Sequence, residues 1–186
     1  MRKTSNKNLK KELRQLLKKN AFFKQKITLS SGKQSDYYID GRLVTLSAYG
    51  AWLCAKVILG EVGKERIAAI GGPTIGADPM IGALAAISYL EHKPINTFII
   101  RKSSKKHGRM KLIEGPLLKK GSRVIIIDDV ATTGGSLVDS IKVLRKRGIR
   151  IQKAIVIVDR QEGARERLVR LRCPLISIFT ASDFLD

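Results

Sequence analysis

Five short apolar runs, at residues 67–70, 95–100, 124–127, 154–158 and 175–179, limit what this chain can fold into. Each is continuous and largely β-branched, with no alternation of apolar and polar positions. Alternation marks a sheet with one wet face, whereas continuity marks strands covered on both faces, as in parallel sheets. The intervening stretches are helical in character. Leu137, Ile141 and Leu144 follow i, i+4, i+7 spacing, and Gly148 stands where such a helix would stop. Residues 79–91 and 165–172 also read as helices. Strands alternating with helices predict an α/β fold: a doubly wound, mainly parallel five-stranded sheet with right-handed crossovers.

The first third of the chain breaks this rhythm. Residues 8–17 are amphipathic, with Leu9, Leu13, Leu16 and Leu17 on one face. Residues 27–46 hold a glycine turn and the strand-like Tyr37-Tyr38-Ile39-Asp40, and Ser47 suits the N-cap of a helix containing Trp52. The expectation is one domain over residues 1–186, with a small N-terminal subdomain (1–46) appended to an α/β core (47–186). No repeat or low-complexity linker divides it.

Composition excludes several classes of function. With 44% hydrophobic and 28% charged residues in 186, the chain is globular rather than disordered. Its two cysteines, Cys54 and Cys173, are far apart and match no zinc or redox spacing, which points to a reducing, cytoplasmic setting. The Lys-rich start lacks the apolar core of a signal peptide. Residues 67–90 contain a single charge, Asp78, over a length that could span a bilayer. Gly71-Gly72-Pro73 and Asp78-Pro79 interrupt them, so a buried strand, a Gly-rich turn and a buried helix are expected instead, and no membrane span. The formal net charge is +20, with eight Lys or Arg against one Glu in residues 1–20. Lys142, Arg145, Lys146 and Arg147 follow in the helix after Ser136. Such a charge attracts polyanions, although most basic residues simply lie on solvated faces.

The chemistry concentrates where the third run ends. Asp128-Asp129-Val130-Ala131-Thr132-Thr133-Gly134-Gly135-Ser136 lies between a predicted strand and a predicted helix, at the end of a strand where α/β proteins bind ligands. Gly134 and Gly135 permit positive φ and close approach of backbone to ligand. The N–H groups of the turn and of the helix's first residues then converge on one anionic group, with Thr132, Thr133 and Ser136 adding hydroxyls. No lysine follows the glycines, so this is not a triphosphate loop, and GxGxxG is absent. Asp128 and Asp129 suit the vicinal hydroxyls of a ribose. A phosphate cradle beside a diol clamp describes a ribose 5-phosphate site. The alternatives for the aspartates are a helix cap or a Mg²⁺ site.

The run resembles the 5-phosphoribosyl-1-pyrophosphate (PRPP) motif of type I phosphoribosyltransferases. Three further stretches resemble the orotate phosphoribosyltransferase family: residues 28–40, which include Ser30, Lys33 and Tyr37-Tyr38; the basic loop Arg101-Lys102-Ser103-Ser104-Lys105-Lys106-His107-Gly108; and Asp159-Arg160-Gln161-Glu162-Gly163. The resemblance covers residues 10–179 in consistent order. It implies transfer of the phosphoribosyl group from PRPP to orotate in pyrimidine synthesis, giving orotidine 5′-monophosphate and pyrophosphate. It also implies a homodimer whose basic loop reaches the neighbouring subunit's site. PRPP would be held by Arg101, Lys102, Lys105, His107, Asp128, Asp129, Val130, Ala131, Thr132, Thr133, Gly134, Gly135 and Ser136. Orotate would be held by Thr132 and Arg160, with Lys105, His107, Asp128 and Asp129 catalytic. Mg²⁺ is expected to accompany PRPP without dedicated protein ligands.

The residues themselves fit that chemistry. A planar arginine fork at a strand end suits a planar carboxylate such as orotate, although Arg160 could instead pair with Asp159 or Glu162. Cations near a departing pyrophosphate act electrostatically, without a covalent nucleophile. Residues 71–78 form a second turn that could hold pyrophosphate or its Mg²⁺-bound waters. Two departures stand out: well-known members carry lysines where this chain has Ser30 and Thr74-Ile75-Gly76. The readings left open are transfer to another base, an inactive homologue, and an RNA-binding regulator on the same fold. The last is disfavoured because no aromatic single-strand platform is visible, so nucleic acid is not an expected partner.

Overall fold

The structure is a computed structural model that describes residues 5–28, 34–102 and 112–185. Helix α1 (Asn6–Asn20) is capped by Ser5, whose side chain accepts from the Asn8 N–H. An antiparallel hairpin follows, β1 (Phe22–Thr28) and β2 (Gln34–Ile39), then the short α2 (Arg42–Thr45). Helix α3 (Ala48–Val62) starts at Ser47, whose hydroxyl accepts from the Gly50 N–H, as its sequence predicts. The remainder alternates: β3 (Ala69–Pro73), α4 (Asp78–Leu90), β4 (Asn96–Ile100), β5 (Ile113–Glu114), β6 (Arg123–Ala131), α5 (Gly135–Lys146), β7 (Arg150–Asp159), α6 (Ala164–Arg170), β8 (Leu175–Thr180) and α7 (Ser182–Leu185).

The main sheet has the order β5-β4-β3-β6-β7-β8 and is parallel except for β5. The continuity of the apolar runs has a direct cause. Ile125 and Ile127 of β6 pack with Leu53 of α3, Met80 of α4 and Leu13 of α1 on one face. Val124 and Ile126 pack with Leu137 and Ile141 of α5 and Leu168 of α6 on the other. Each fully buried Ile or Val contributes about 1.5–3 kcal/mol of transfer free energy, so both faces of one strand stabilise the fold. The N-terminal segment shares this core. Leu9, Leu13 and Leu17 belong to the first cluster, and Phe22 stacks on both Tyr37 and Phe184.

Three expectations need correction. The sheet has six strands rather than five, because Ile113–Glu114 adds a two-residue antiparallel edge to β4. The Gly71-Gly72-Pro73 segment is strand rather than turn. Backbone approaches both glycines closely: a Cβ on Gly71 would lie 2.1 Å from the Phe98 carbonyl, and one on Gly72 2.0 Å from that of Ile127. Finally, β6 continues past its apolar run to Ala131, since Asp128, Val130 and Ala131 still pair with Val156, Val158 and Asp159 of β7. The two aspartates are therefore strand residues. Among the described residues, no helix is long and apolar enough to cross a membrane.

Candidate active site

The candidate residues that the structure describes lie at the carboxyl ends of β3, β4, β6 and β7. The chain leaves β6 through Thr132 and Thr133 and enters α5 at Gly134, which has φ 72°. Only Gly134 uses the left-handed region; Gly135 is already the first helical residue. A Cβ on Gly134 would lie 3.1 Å from both Cα and Cβ of Ala164, so the turn is also packed against α6. Arg167 of α6 donates to the Thr133 carbonyl at 3.1 Å and steadies the loop from outside. No acceptor among the described residues bonds the N–H groups of Thr133, Gly134, Gly135 and Ser136. They border a cavity of about 180 Å³, with Asp128 on its wall. Unpartnered amides at a helix start are an anion cradle.

Asp128 is 8% exposed. Its Oδ1 accepts the Asp129 N–H at 3.0 Å, and Asp129 Oδ1 accepts the Val130 N–H at 2.8 Å. Neither caps a helix. Burial pushes the Asp128 carboxyl well above the usual carboxylate range, and the Asp129 charge adds to this while Lys102 opposes it. Burial raises Asp129 as well, opposed by the Val130 N–H and by Arg42. Two glycines admit the pair. A Cβ on Gly76 would lie 2.4 Å from Asp129 Oδ1 and 2.6 Å from Asp128 Oδ1, and one on Gly41 3.0 Å from Asp129 Oδ2. Gly76 belongs to a turn the sequence singles out; Gly41 carries no such signal.

Arg160 follows β7 and is 5% exposed. Its guanidinium sits 4.6 Å above the centre of the Tyr37 ring. Nε donates to Glu162 at 2.8 Å and Nη2 to Ser35 Oγ at 3.0 Å, which takes two of its five donors. The ion pair anticipated for Arg160 therefore exists, with Glu162. Asp159 instead accepts from the Gln161 N–H and the Ser177 hydroxyl and fixes the turn. Burial raises the Tyr37 hydroxyl pKa, with Arg160 opposing. Arg160 lines a second cavity, of about 310 Å³, with Tyr38, Arg42, Asp129 and Thr132. Arg42 forms a fork with Asp40, at 2.9 and 3.0 Å, which holds the Asp40 carboxyl below its usual range. Val130 and Thr132 border both cavities, which are thus neighbours.

A third cavity, of about 280 Å³, holds Arg101 and Lys102 beside Ser136 and Ser140. Arg101 Nη1 is 3.6 Å from Glu114. In the turn after β3, the N–H groups of Thr74, Ala77 and Asp78 are bonded to Ile100, Pro73 and Ile75 carbonyls, whereas those of Ile75 and Gly76 meet no acceptor among the described residues. Thr74 Oγ1 donates to Asp78 at 2.7 Å. Lys105 and His107 lie outside the described residues, as do Ser30 and Lys33. Among the described residues no group of three or more His, Cys, Asp or Glu side chains gathers to hold a metal ion.

Free amides at a strand end, a carboxylate pair and a cation-lined cavity stand together, and comparison names the class. Residues 54–180 match the family model of the phosphoribosyl transferase domain. The orotate phosphoribosyltransferase of Synechocystis sp. is 40% identical over 168 residues, 90% of this chain and 84% of the relative. That of Thermosynechococcus vestitus is 40% identical over 176 residues, 95% of this chain and 93% of the relative. Among solved structures, Mycobacterium tuberculosis orotate phosphoribosyltransferase in complex with Fe(III) dicitrate superposes with TM-score 0.82 at 30% identity, covering 96% of this chain and 99% of that one. The chain belongs to the orotate phosphoribosyltransferase family.

Proposed function

We propose that this chain transfers the 5-phosphoribosyl group of PRPP to orotate, releasing pyrophosphate and forming orotidine 5′-monophosphate for pyrimidine synthesis. One observation carries the choice of base: Arg160, buried against Tyr37, lines a cavity contiguous with the phosphate cradle. Glu162 and Ser35 take two of the five guanidinium donors, and the donors that remain on the planar fork suit a planar carboxylate better than neutral uracil or adenine.

The roles follow from position. The amides of Thr133 to Ser136 and the loop hydroxyls hold the 5-phosphate. Asp128 and Asp129 accept from the ribose hydroxyls and orient C1 toward the base cavity. Thr132 and Arg160 hold orotate so that its ring nitrogen faces C1. As that nitrogen–carbon bond forms, the nitrogen releases its proton to the departing pyrophosphate or to solvent, and the bond to pyrophosphate breaks through an oxocarbenium-like state. Arg101 and Lys102 stand on the side of Ser136, where charge grows on the leaving group. PRPP would bind as its Mg²⁺ complex, in which the ion screens the pyrophosphate charge. We assign Lys105 and His107 to the same leaving group, across the interface of a homodimer. Buried, unpaired Cys54 and Cys173 fit a cytoplasmic enzyme.

A panel of orotate, uracil and adenine with PRPP and Mg²⁺ tests the proposal. Loss of orotate absorbance with stoichiometric pyrophosphate is expected. Turnover of adenine or uracil without orotate would assign the cavity to another base.

A further inference from the structure

The end of the sheet opposite the site has its own composition. The segment ahead of β6 supplies Lys119, Lys120 and Arg123, and the α6–β8 connection Arg170 and Arg172. The α5–β7 connection adds Arg145, Lys146, Arg147 and Arg150. These nine are a quarter of the chain's 36 Lys and Arg, and residues 115–123, 145–150 and 170–174 contain no Asp or Glu. The fold gathers them. Arg123 and Arg150 are in register at the starts of β6 and β7. The Gly121 N–H donates to the Gly148 carbonyl at 2.8 Å, and Arg145 Nη2 to the Leu171 carbonyl at 2.5 Å, which ties the three segments together. All nine are exposed, and none forms an ion pair among the described residues.

Local structure accounts for little of this. Helices α5 and α6 end here, and each carboxyl end carries about half a negative charge. Nine cations remain largely uncompensated, and their mutual repulsion opposes folding. The transferase site does not use them, since it lies at the other ends of the same strands. We propose that this pole docks on the phosphate backbone of a duplex nucleic acid. Six of the nine are arginines, whose planar forks match phosphate oxygens. The three segments contain no Phe, Tyr or Trp. That omits the stacking platform of single-strand binders and the aromatic anchors of membrane-surface proteins. Backbone contact of this kind is insensitive to sequence and steeply dependent on salt.

The test uses the full chain with labelled RNA and DNA duplexes, read by fluorescence anisotropy across a salt series. The comparison protein carries Lys119→Gln, Lys146→Gln, Arg147→Gln and Arg170→Gln, and none of the four parent side chains makes a hydrogen bond among the described residues. Binding of either duplex, unaffected by added PRPP, is expected. For every phosphate that the variant no longer neutralises, the slope of log affinity against log salt should flatten by about one, with orotate turnover unchanged. The proposal fails if neither duplex binds, if PRPP displaces it, or if the variant binds with the same slope. It also fails if only vesicles of anionic phospholipid bind. A chain that binds duplex without turning over orotate would sink the transferase reading and leave this one standing.

Discussion

The two neighbouring cavities of the site are built differently. The phosphate cradle is made almost wholly from consecutive residues, Thr132 to Leu137, and its working groups are backbone amides fixed by one left-handed glycine. The base cavity draws on the hairpin, the start of α2, the end of β6 and the turn after β7, and its working groups are side chains. In the proposed transferase, a cradle of amides recognises any phosphate and so sets the reaction class. A cavity of side chains from distant segments can change one residue at a time, and in the same proposal it sets the base.

The largest effect expected falls on a residue assigned to the leaving group. Lys105→Ala should lower kcat about 10²-fold, as for other lost electrostatic stabilisers, while KM for orotate stays put; a rise in that KM instead would move Lys105 into the base cavity. Mixing this variant with the double aspartate variant should restore activity if the lysine acts on the partner's site. Asp128→Asn with Asp129→Asn should raise KM for PRPP about 10- to 10²-fold, as for two lost hydrogen bonds. Equal kinetics to the parent would remove the diol clamp.

How far the sequence shows these features follows from the same contrast. The cradle is legible because it is local: two threonines, two glycines and a serine between an apolar run and a helical pattern. Even there the strand end is misplaced, because buried carboxylates read as loop until Gly41 and Gly76 are seen to make room for them. The cation of the base cavity is legible in Arg160, but its setting is not. Tyr37 meets it through a ring contact and Ser35 through one hydroxyl, the latter from 125 positions away in the chain. The short β5 edge is too brief to leave a pattern at all.

Smaller perturbations sharpen the contrast. Gly134→Ala places a side chain at φ 72° and 3.1 Å from Ala164. It should cost about 1–2 kcal/mol, lowering Tm by roughly 2–4 °C per kcal/mol in a chain of this size and raising KM for PRPP. An unchanged Tm would show that the turn tolerates a Cβ. The smallest effect concerns pH. Burial raises the native Asp128 carboxyl pKa above its unfolded value. The native state then keeps a proton that the unfolded chain has lost, so this group's contribution to stability is full below the ordinary carboxylate range and declines as pH rises through the raised value. Asp128→Asn should therefore raise Tm at neutral pH and lose that advantage in acid. A gain that grows in acid would reverse the sign.

The division of labour between the cavities is tested most directly by Arg160→Lys, which keeps the charge and removes the fork. KM for orotate should rise about tenfold or more, while KM for PRPP remains that of the parent. A rise in both, or in PRPP alone, would contradict the account.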